Sequence, residues 1–202
     1  MTFSNHTLGR RTCLALATVC LLAGQAWAQS AAAAPKVKFA TSAGDFVVEV
    51  YPDKAPKTVD NFLQYVKDKH YDGTVFHRVI ENFMVQGGGF DAAYAQKPTR
   101  APVVHEGREA LTKGGDKNVV GTLAMARTND PNSASSQFFI NVRDNDFLNP
   151  SAQAPGYTVF GKVVSGMEVV NKIKATPTGA GGPFPGDVPK TPVLINSATL
   201  VK

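Results

Sequence analysis

The stretch FHRVIENFMVQGG occupies residues 76–88 and is the most informative part of the chain. It predicts β-strands at 74–79 and 83–86, because both runs are short and rich in aromatic and β-branched residues. Polar side chains at His77, Arg78 and Gln86 interrupt the large apolar ones, which is the composition of a shallow apolar binding site. The stretch therefore predicts two sheet strands that carry a binding face.

Six further β-rich runs occupy 37–41, 45–51, 121–126, 138–142, 157–163 and 193–201. Apolar residues at helical spacing from Thr58 onward, and again over 167–174, predict two amphipathic helices. This pattern indicates a mostly β fold: a closed antiparallel eight-stranded barrel capped by two α-helices. The Gly- and Pro-rich stretch at 179–189 is predicted to be a long connection, and no repeat or linker divides the chain.

Residues 1–28 are predicted to be a cleaved signal peptide. Arg10 and Arg11 precede an apolar run at 13–24, and the AWA sequence at 26–28 supplies the small residues that signal peptidase requires, so cleavage is expected before Gln29. The alternative is a membrane anchor, but crossing a bilayer takes about 20 apolar residues and this run is shorter. Export by the general or the twin-arginine pathway stays open. Residues 29–35 are expected to be a disordered tail, and 36–202 the folded domain.

Removal of this segment would take away both cysteines and the only tryptophan, because Cys13, Cys20 and Trp27 all lie within it. Disulfides, zinc–thiolate sites and a cysteine nucleophile are then excluded. Lipoprotein processing at Cys20 is disfavoured by the bulky Val19 before it. The remainder loses two of the 21 basic residues and none of the 16 acidic ones, which leaves a net charge of +3. Because acidic residues are scattered throughout, nucleic-acid binding is not expected.

The common catalytic motifs are absent from the sequence. It contains no nucleophile elbow, zinc-protease pair, phosphate-binding loop or dinucleotide fingerprint. The remaining histidines, His70, His77 and His105, are too scattered to suggest a metal site. No cofactor and no metal are therefore expected, and hydrolase, NTPase and metalloenzyme functions lose most of their support.

A second segment has the same mixture of apolar and polar residues: GTLAMAR at 121–127, followed by SQFFI at 136–140. Together with FHRVIENFMVQGG, it resembles the cyclophilin family of peptidyl-prolyl cis-trans isomerases, and the similarity extends from Gly44 to YTVFGKV at 157–163. DNDFL at 144–148 and GPF at 182–184 resemble the bacterial branch of that family. The resemblance implies a cyclophilin-like barrel and catalysed rotation about X–Pro bonds, without a covalent intermediate, metal or ATP.

The resemblance also implies roles for individual residues. Arg78 and Gln86 are expected to be catalytic: Arg78 would donate to the proline nitrogen of the twisted amide, and Gln86 would position Arg78 and the substrate carbonyl. The expected substrate-binding residues are His77, Phe83, Met84, Ala126, Arg127, Gln137, Phe139, Phe147, Leu148 and Tyr157.

Several of these residues have a structural alternative. A structural hydrogen bond is favoured for His77, because prolyl isomerisation transfers no proton. Met84 and Phe139 could belong to the core, as apolar residues usually do. Phe76 and Phe138 alternate with the site residues and are expected to face the core. The glycines at 87–89 are expected to allow close backbone packing and not phosphate binding, because no helix follows them.

Two positions depart from the eukaryotic cyclophilins. Phe147 stands in place of a tryptophan at the rim of the pocket, and Tyr157 in place of a histidine. That tryptophan donates an indole hydrogen bond to cyclosporin, so weak cyclosporin binding at most is expected.

The expected partners are proline-containing segments of unfolded or exported proteins, met by a monomer in the periplasm of a Gram-negative bacterium, with no membrane contact after cleavage. The strongest rival function is a holdase chaperone that uses the same groove without turnover, and the presence of Arg78 argues against it. A structural role in an envelope complex would need an added interaction segment, and the chain offers only its Ala-rich tail.

Overall fold

The computed structural model describes residues 1–2 and 33–201. Residues 3–28 of the predicted signal peptide, its cleavage site and residues 29–32 of the predicted tail lie outside this part of the chain. The folded unit begins at Ala33. No helix among the described residues is long and apolar enough to cross a membrane.

Eight strands close into an antiparallel barrel in the order β1-β10-β3-β4-β6-β5-β7-β2, which confirms the predicted architecture. The barrel strands are β1 (Lys36–Thr41), β2 (Gly44–Val50), β3 (Thr74–Ile80), β4 (Met84–Asp91), β5 (Thr122–Met125), β6 (Phe138–Asn141), β7 (Val159–Ser165) and β10 (Leu194–Leu200). The boundaries agree closely with the predicted runs except at β4, which continues through the glycines at 87–89.

The described chain contains three α-helices and not the two that were predicted: α1 (Pro56–Lys67), α2 (Gly107–Thr112) and α3 (Met167–Lys174). The first and third correspond to the predicted helices, and α3 has the predicted bounds. The missed helix, α2, has six residues, which is too short for an apolar period to reveal it. Two 3-10 turns, Pro131–Ser133 and Asp146–Leu148, follow β5 and β6 respectively.

The prediction of a plain connection at 179–189 is wrong. Two further strands, β8 (Thr178–Gly181) and β9 (Phe184–Pro189), pair there as a separate antiparallel sheet, called the β8–β9 hairpin below. Its turn contains Gly182 with φ of 52°, a left-handed conformation that glycine adopts without strain. The sequence does not reveal these two strands, because glycine and proline are depleted in strands and are typical of loops.

Aromatic rings fill the interior of the barrel. The buried rings include Phe39, Phe46, Phe62, Phe76, Phe138 and Phe160, none of them more than 1% exposed. Phe62 is supplied by α1, and its ring centroid lies 5.0 Å from that of Phe160 and 6.0 Å from that of Phe138. The burial of Phe76 and Phe138 confirms that these two residues face the core, so their neighbours in β3 and β6 face outward.

Candidate functional site

The candidate site lies on the outer face of four neighbouring strands, β3, β4, β6 and β5. Successive side chains in a strand point to opposite faces of a sheet. Val85 and Phe138 accordingly belong to the interior core, whereas Met84 and Phe139 belong to a second, separate apolar cluster. The face opposite the core is thus partly apolar, and the predicted site residues lie on it.

Strand pairing aligns predicted site residues in a row across this face. Arg78 of β3 is paired with Gln86 of β4, and Gln86 with Phe139 of β6. Phe139 is in turn paired with Ala124 of β5. Directly opposed residues in antiparallel strands have Cβ atoms about 4.5–5.5 Å apart. The guanidinium-bearing Arg78, the amide-bearing Gln86 and the aromatic Phe139 therefore lie side by side on this face.

A cavity of about 380 Å³ opens on this face. Its lining residues are His77, Arg78, Phe83, Met84, Gln86, Phe90, Ala126, Arg127, Gln137, Phe139, Leu148, Tyr157 and Phe184. Every residue predicted for the site except Phe147 is among them, and Phe90 and Phe184 were not predicted. The volume is at the lower end of the range for small-ligand sites, which suits a proline ring with its flanking atoms.

The apolar part of the cavity is made by Met84, Phe139 and Leu148, which are 1%, 4% and 7% exposed. Phe83 and Tyr157 pack against them from the partly exposed side, and the Tyr157 ring meets that of Phe139 edge-on at 5.5 Å. Met84 and Phe139 are therefore buried in an apolar cluster and also line the cavity. A packing role and a substrate-binding role are thus compatible for these two residues.

Phe147 lies at the rim of the site without lining the cavity. Its side chain is 73% exposed and stacks on Phe83 with 5.7 Å between ring centroids.

Arg127 and Tyr157 form one side of the cavity together. Nε and Nη2 of Arg127 donate to the carbonyl of Gly156 at 3.1 and 2.8 Å, and its guanidinium carbon lies 4.5 Å from the centre of the Tyr157 ring. The adjacent Ala126 N–H donates to the carbonyl of Gln137 at 3.0 Å. The Arg127 side chain is thus fixed by the loop that precedes β7, and its backbone continues the β5 edge of the site.

Two glutamine side chains are joined beside Arg78. Nε2 of Gln86 donates to Oε1 of Gln137 at 2.9 Å, and no hydrogen bond connects Gln86 to Arg78 in the described part of the chain. A Cβ added at Gly89 would lie 2.5 Å from Cγ of Gln137, so glycine is required there for the two side chains to meet. This contact bears out the close packing expected of the glycines at 87–89, whereas the positioning role of Gln86 stays a prediction.

His77 is buried in an aromatic environment. Its side chain is 3% exposed, and its ring lies 4.6 Å from that of Phe90 and 5.4 Å from that of Phe184. Burial lowers the pKa of His77 to about 4, so the ring is neutral at neutral pH. Nδ1 has no hydrogen-bond partner among the described residues. The ring is therefore packed among aromatic side chains, and the structural hydrogen bond favoured from the sequence stays a prediction.

Arg78 has a half-exposed side chain, and its Nε lies 3.8 Å from Oδ2 of Asp187 in β9. The guanidinium is charged at any physiological pH and offers donors in a planar fork. Asp187 and Phe184 reach the site from the β8–β9 hairpin. The sequence signals only Phe184, through the GPF at 182–184 that resembles the bacterial branch, and it places neither residue in the site.

Comparison with known proteins agrees with this geometry. A sequence profile described as "Cyclophilin type peptidyl-prolyl cis-trans isomerase/CLD" matches residues 36–200. The chain is 52% identical over 167 residues to peptidyl-prolyl cis-trans isomerase B of Escherichia coli K12, covering 81% of this chain and 98% of that protein. It is 45% identical over 195 residues to peptidyl-prolyl cis-trans isomerase A of Dickeya dadantii, covering 96% of this chain and all of that protein.

Solved structures support the same relationship. A cyclophilin-type peptidyl-prolyl cis-trans isomerase of Cryptosporidium parvum superposes with a TM-score of 0.67 at 25% identity, covering 84% of this chain and 98% of that one. A second crystal structure of that protein, determined in the presence of the dipeptide Ala-Pro, gives a TM-score of 0.65 at the same identity, covering 83% of this chain and 99% of that one.

Proposed function

Because the chain belongs to the cyclophilin-type peptidyl-prolyl cis-trans isomerase family and has its activity, we propose that it assists the folding of exported proteins by rotating their X–Pro bonds, with Arg78 stabilising the twisted amide. The observation that carries the proposal is the row formed by Arg78, Gln86 and Phe139 beside a cavity large enough for a proline ring. The Ala-Pro dipeptide used with the Cryptosporidium parvum protein supports a proline-containing peptide as the ligand here.

The reaction has a high barrier because rotation breaks the partial double bond of the amide, at a cost of about 18–20 kcal/mol. In the twisted state the proline nitrogen becomes pyramidal and regains a lone pair. A donor aimed at that nitrogen stabilises the twisted state more than either planar isomer, which is the condition for catalysis. Arg78 supplies such a donor at the edge of the apolar cavity.

The remaining site residues bind the substrate. The cluster of Met84, Phe139, Leu148 and Phe83 would hold the proline ring by excluding water from it. Gln86 would position the substrate carbonyl, and the backbone at Arg127, with Ala126 and Gln137 beside it, would hold the substrate chain. A proline ring bound on the apolar side of the cavity would exclude water from that side, and the hydrogen bond from Arg78 would then be stronger than in water.

A protease-coupled isomerisation assay on a short proline peptide tests this function directly. An isomerase acts catalytically at substoichiometric concentration. A holdase that uses the same groove would instead suppress aggregation of an unfolded protein at equimolar concentration and would leave the isomerisation rate of the peptide unchanged.

We further propose that the protein works as a monomer in the periplasm after removal of residues 1–28. The mature protein is expected to begin at Gln29, because the AWA sequence at 26–28 is the one well-placed cleavage site. The intact mass of the protein from a periplasmic extract measures this. A soluble form that retains Cys13 and Cys20 would contradict it.

Cyclosporin is expected to bind weakly, because Phe147 has no indole N–H to donate. A lost hydrogen bond in a desolvated site costs about 1–3 kcal/mol, or roughly ten- to a hundredfold in affinity. Phe147→Trp should recover part of this loss, measured as the inhibition constant in the isomerase assay. Phe147→Leu, which also offers no hydrogen-bond donor, serves as the control and should not tighten inhibition. Equal inhibition of the wild type and Phe147→Trp would show that this position does not limit binding.

A further inference from the structure

The β8–β9 hairpin is held against the active site by an aromatic cluster made of His77, Phe90, Tyr94 and Phe184. The Phe184 ring lies 5.0 Å from that of Phe90, 5.4 Å from that of His77 and 6.3 Å from that of Tyr94. A Cβ added at Gly182 would lie 2.6 Å from Cβ of Tyr94, so the hairpin turn also packs closely on this cluster. The position of β9 relative to β3 is therefore fixed by several contacts.

This packing brings Asp187 to Arg78. Oδ2 of Asp187 lies 3.8 Å from Nε of Arg78, and within residues 33–201 no other carboxylate is paired with that guanidinium. Asp187 has φ of 64°, in the left-handed region that aspartate tolerates better than most residues. Arg78 also has no hydrogen bond to Gln86 in this structure, so Asp187 is the group that restrains it.

The restraint matters because Arg78 lies between two cavities. One is the substrate cavity, and the other is a groove of about 380 Å³ lined by His77, Arg78 and residues 184–187 of the hairpin. A long, half-exposed side chain such as that of Arg78 can point into either cavity. The ion pair between its Nε and Asp187 limits the orientations of the guanidinium. The two terminal nitrogens of Arg78 make no hydrogen bond within the described part of the protein and stay available to a substrate.

We propose that Asp187 is a positioning residue for Arg78, brought by the β8–β9 hairpin, and that it holds the guanidinium in orientation for the proline nitrogen. This inference rests on the proposed role of Arg78. It also gives the hairpin a function. The aromatic cluster fixes β9 and thereby the carboxylate of Asp187, and this carboxylate restricts the orientation of Arg78, which stabilises the twisted amide. A better-oriented catalytic group lowers the barrier without any new contact to the substrate.

Asp187→Ala and Asp187→Asn are expected to lower kcat/KM for a short X–Pro peptide by about three- to tenfold, since orientation is reduced while the donor itself is kept. Stability should not change measurably in Asp187→Asn, because half-exposed ion pairs contribute little to it and asparagine also tolerates the left-handed conformation of this residue. Asp187→Ala is expected to lose some stability from its backbone conformation, so the asparagine variant is the one that tests the ion pair. Asp187→Glu should recover part of the activity. The matched control is Asp45→Asn, which removes the similarly exposed Lys38–Asp45 pair at 2.7 Å on β1 and β2 and should leave kcat/KM unchanged.

A double-mutant cycle separates positioning from a general structural effect. In an Arg78→Ala background, Asp187→Asn should cause no further loss, measured by exchange NMR at an enzyme concentration high enough to detect the residual activity. The proposal is overturned by an equal loss in both backgrounds, or by unchanged kcat/KM in Asp187→Asn alone. Near-wild-type activity of Arg78→Ala would instead overturn the proposed function on which the inference rests.

Discussion

Replacement of Arg78 by alanine is expected to lower kcat/KM for a short X–Pro peptide by about a hundred- to a thousandfold, which corresponds to about 3–4 kcal/mol of transition-state stabilisation. The loss is large because the donor acts only on the twisted amide, so its removal raises the barrier without weakening binding of the planar isomers. The fold should survive, because the side chain is half-exposed and lies outside the core. The measurement is protease-coupled isomerisation, with circular dichroism to verify folding.

Two variants serve as controls for this experiment. Arg78→Lys should restore little activity, because an ammonium group cannot reproduce the planar fork of a guanidinium. His77→Gln should cost much less activity than Arg78→Ala, since the neutral, buried imidazole packs against Phe90 and Phe184 and is not the group that would donate to the proline nitrogen. A folded Arg78→Ala protein with near-wild-type turnover would remove the proposed mechanism and favour the holdase function.

The barrel could be predicted from the sequence because its strands are rich in residues that favour β-structure. β1, β3 and β6 are short runs of aromatic and β-branched residues, and the alternation within them already places Phe76 and Phe138 in the core. The β8–β9 hairpin lacks that signal, because β8 reads TGAG and is stabilised by pairing with β9 and not by its own composition. Local propensity is a weak guide where tertiary contacts determine the structure.

The residues of the candidate site likewise fall into those that could be predicted from the sequence and those that could not. Residues within the contiguous motifs, such as Arg78, Gln86 and Phe139, could be named from the sequence, and strand register then aligns them. Phe184 and Asp187 could not, because they reach the site from a hairpin about a hundred residues later in the chain. Contacts between segments so distant in sequence depend on the packing of the whole domain, and no local pattern in a single sequence records them.

Glu106 is another residue whose role depends on distant packing. Helix α1 begins at Pro56, and its N-cap residue Ala55 has no side chain that can accept a hydrogen bond. The carboxylate of Glu106, which is 3% exposed, accepts from the backbone N–H of Lys57 at 3.2 Å and of Thr58 at 2.8 Å. It also accepts from the Thr58 hydroxyl at 2.7 Å. Glu106 thus supplies the missing cap from almost fifty residues away, with its charge at the positive end of the helix dipole.

Glu106→Ala is therefore expected to lower the free energy of unfolding by about 2–4 kcal/mol, because it leaves the buried N–H and hydroxyl of Thr58 and the partly buried N–H of Lys57 without an acceptor. Glu106→Gln should cost about half as much, since an amide oxygen can still accept but carries no charge. Urea denaturation measures both free energies of unfolding, and the m-value, which is the slope of this free energy against urea concentration, should stay the same if only stability changes.

The matched control is Glu109→Ala, which removes an exposed carboxylate paired with Lys113 at 2.7 Å and should cost less than about 0.5 kcal/mol. If Glu106→Ala unfolds at the same urea concentration as Glu109→Ala, then α1 does not depend on this cap.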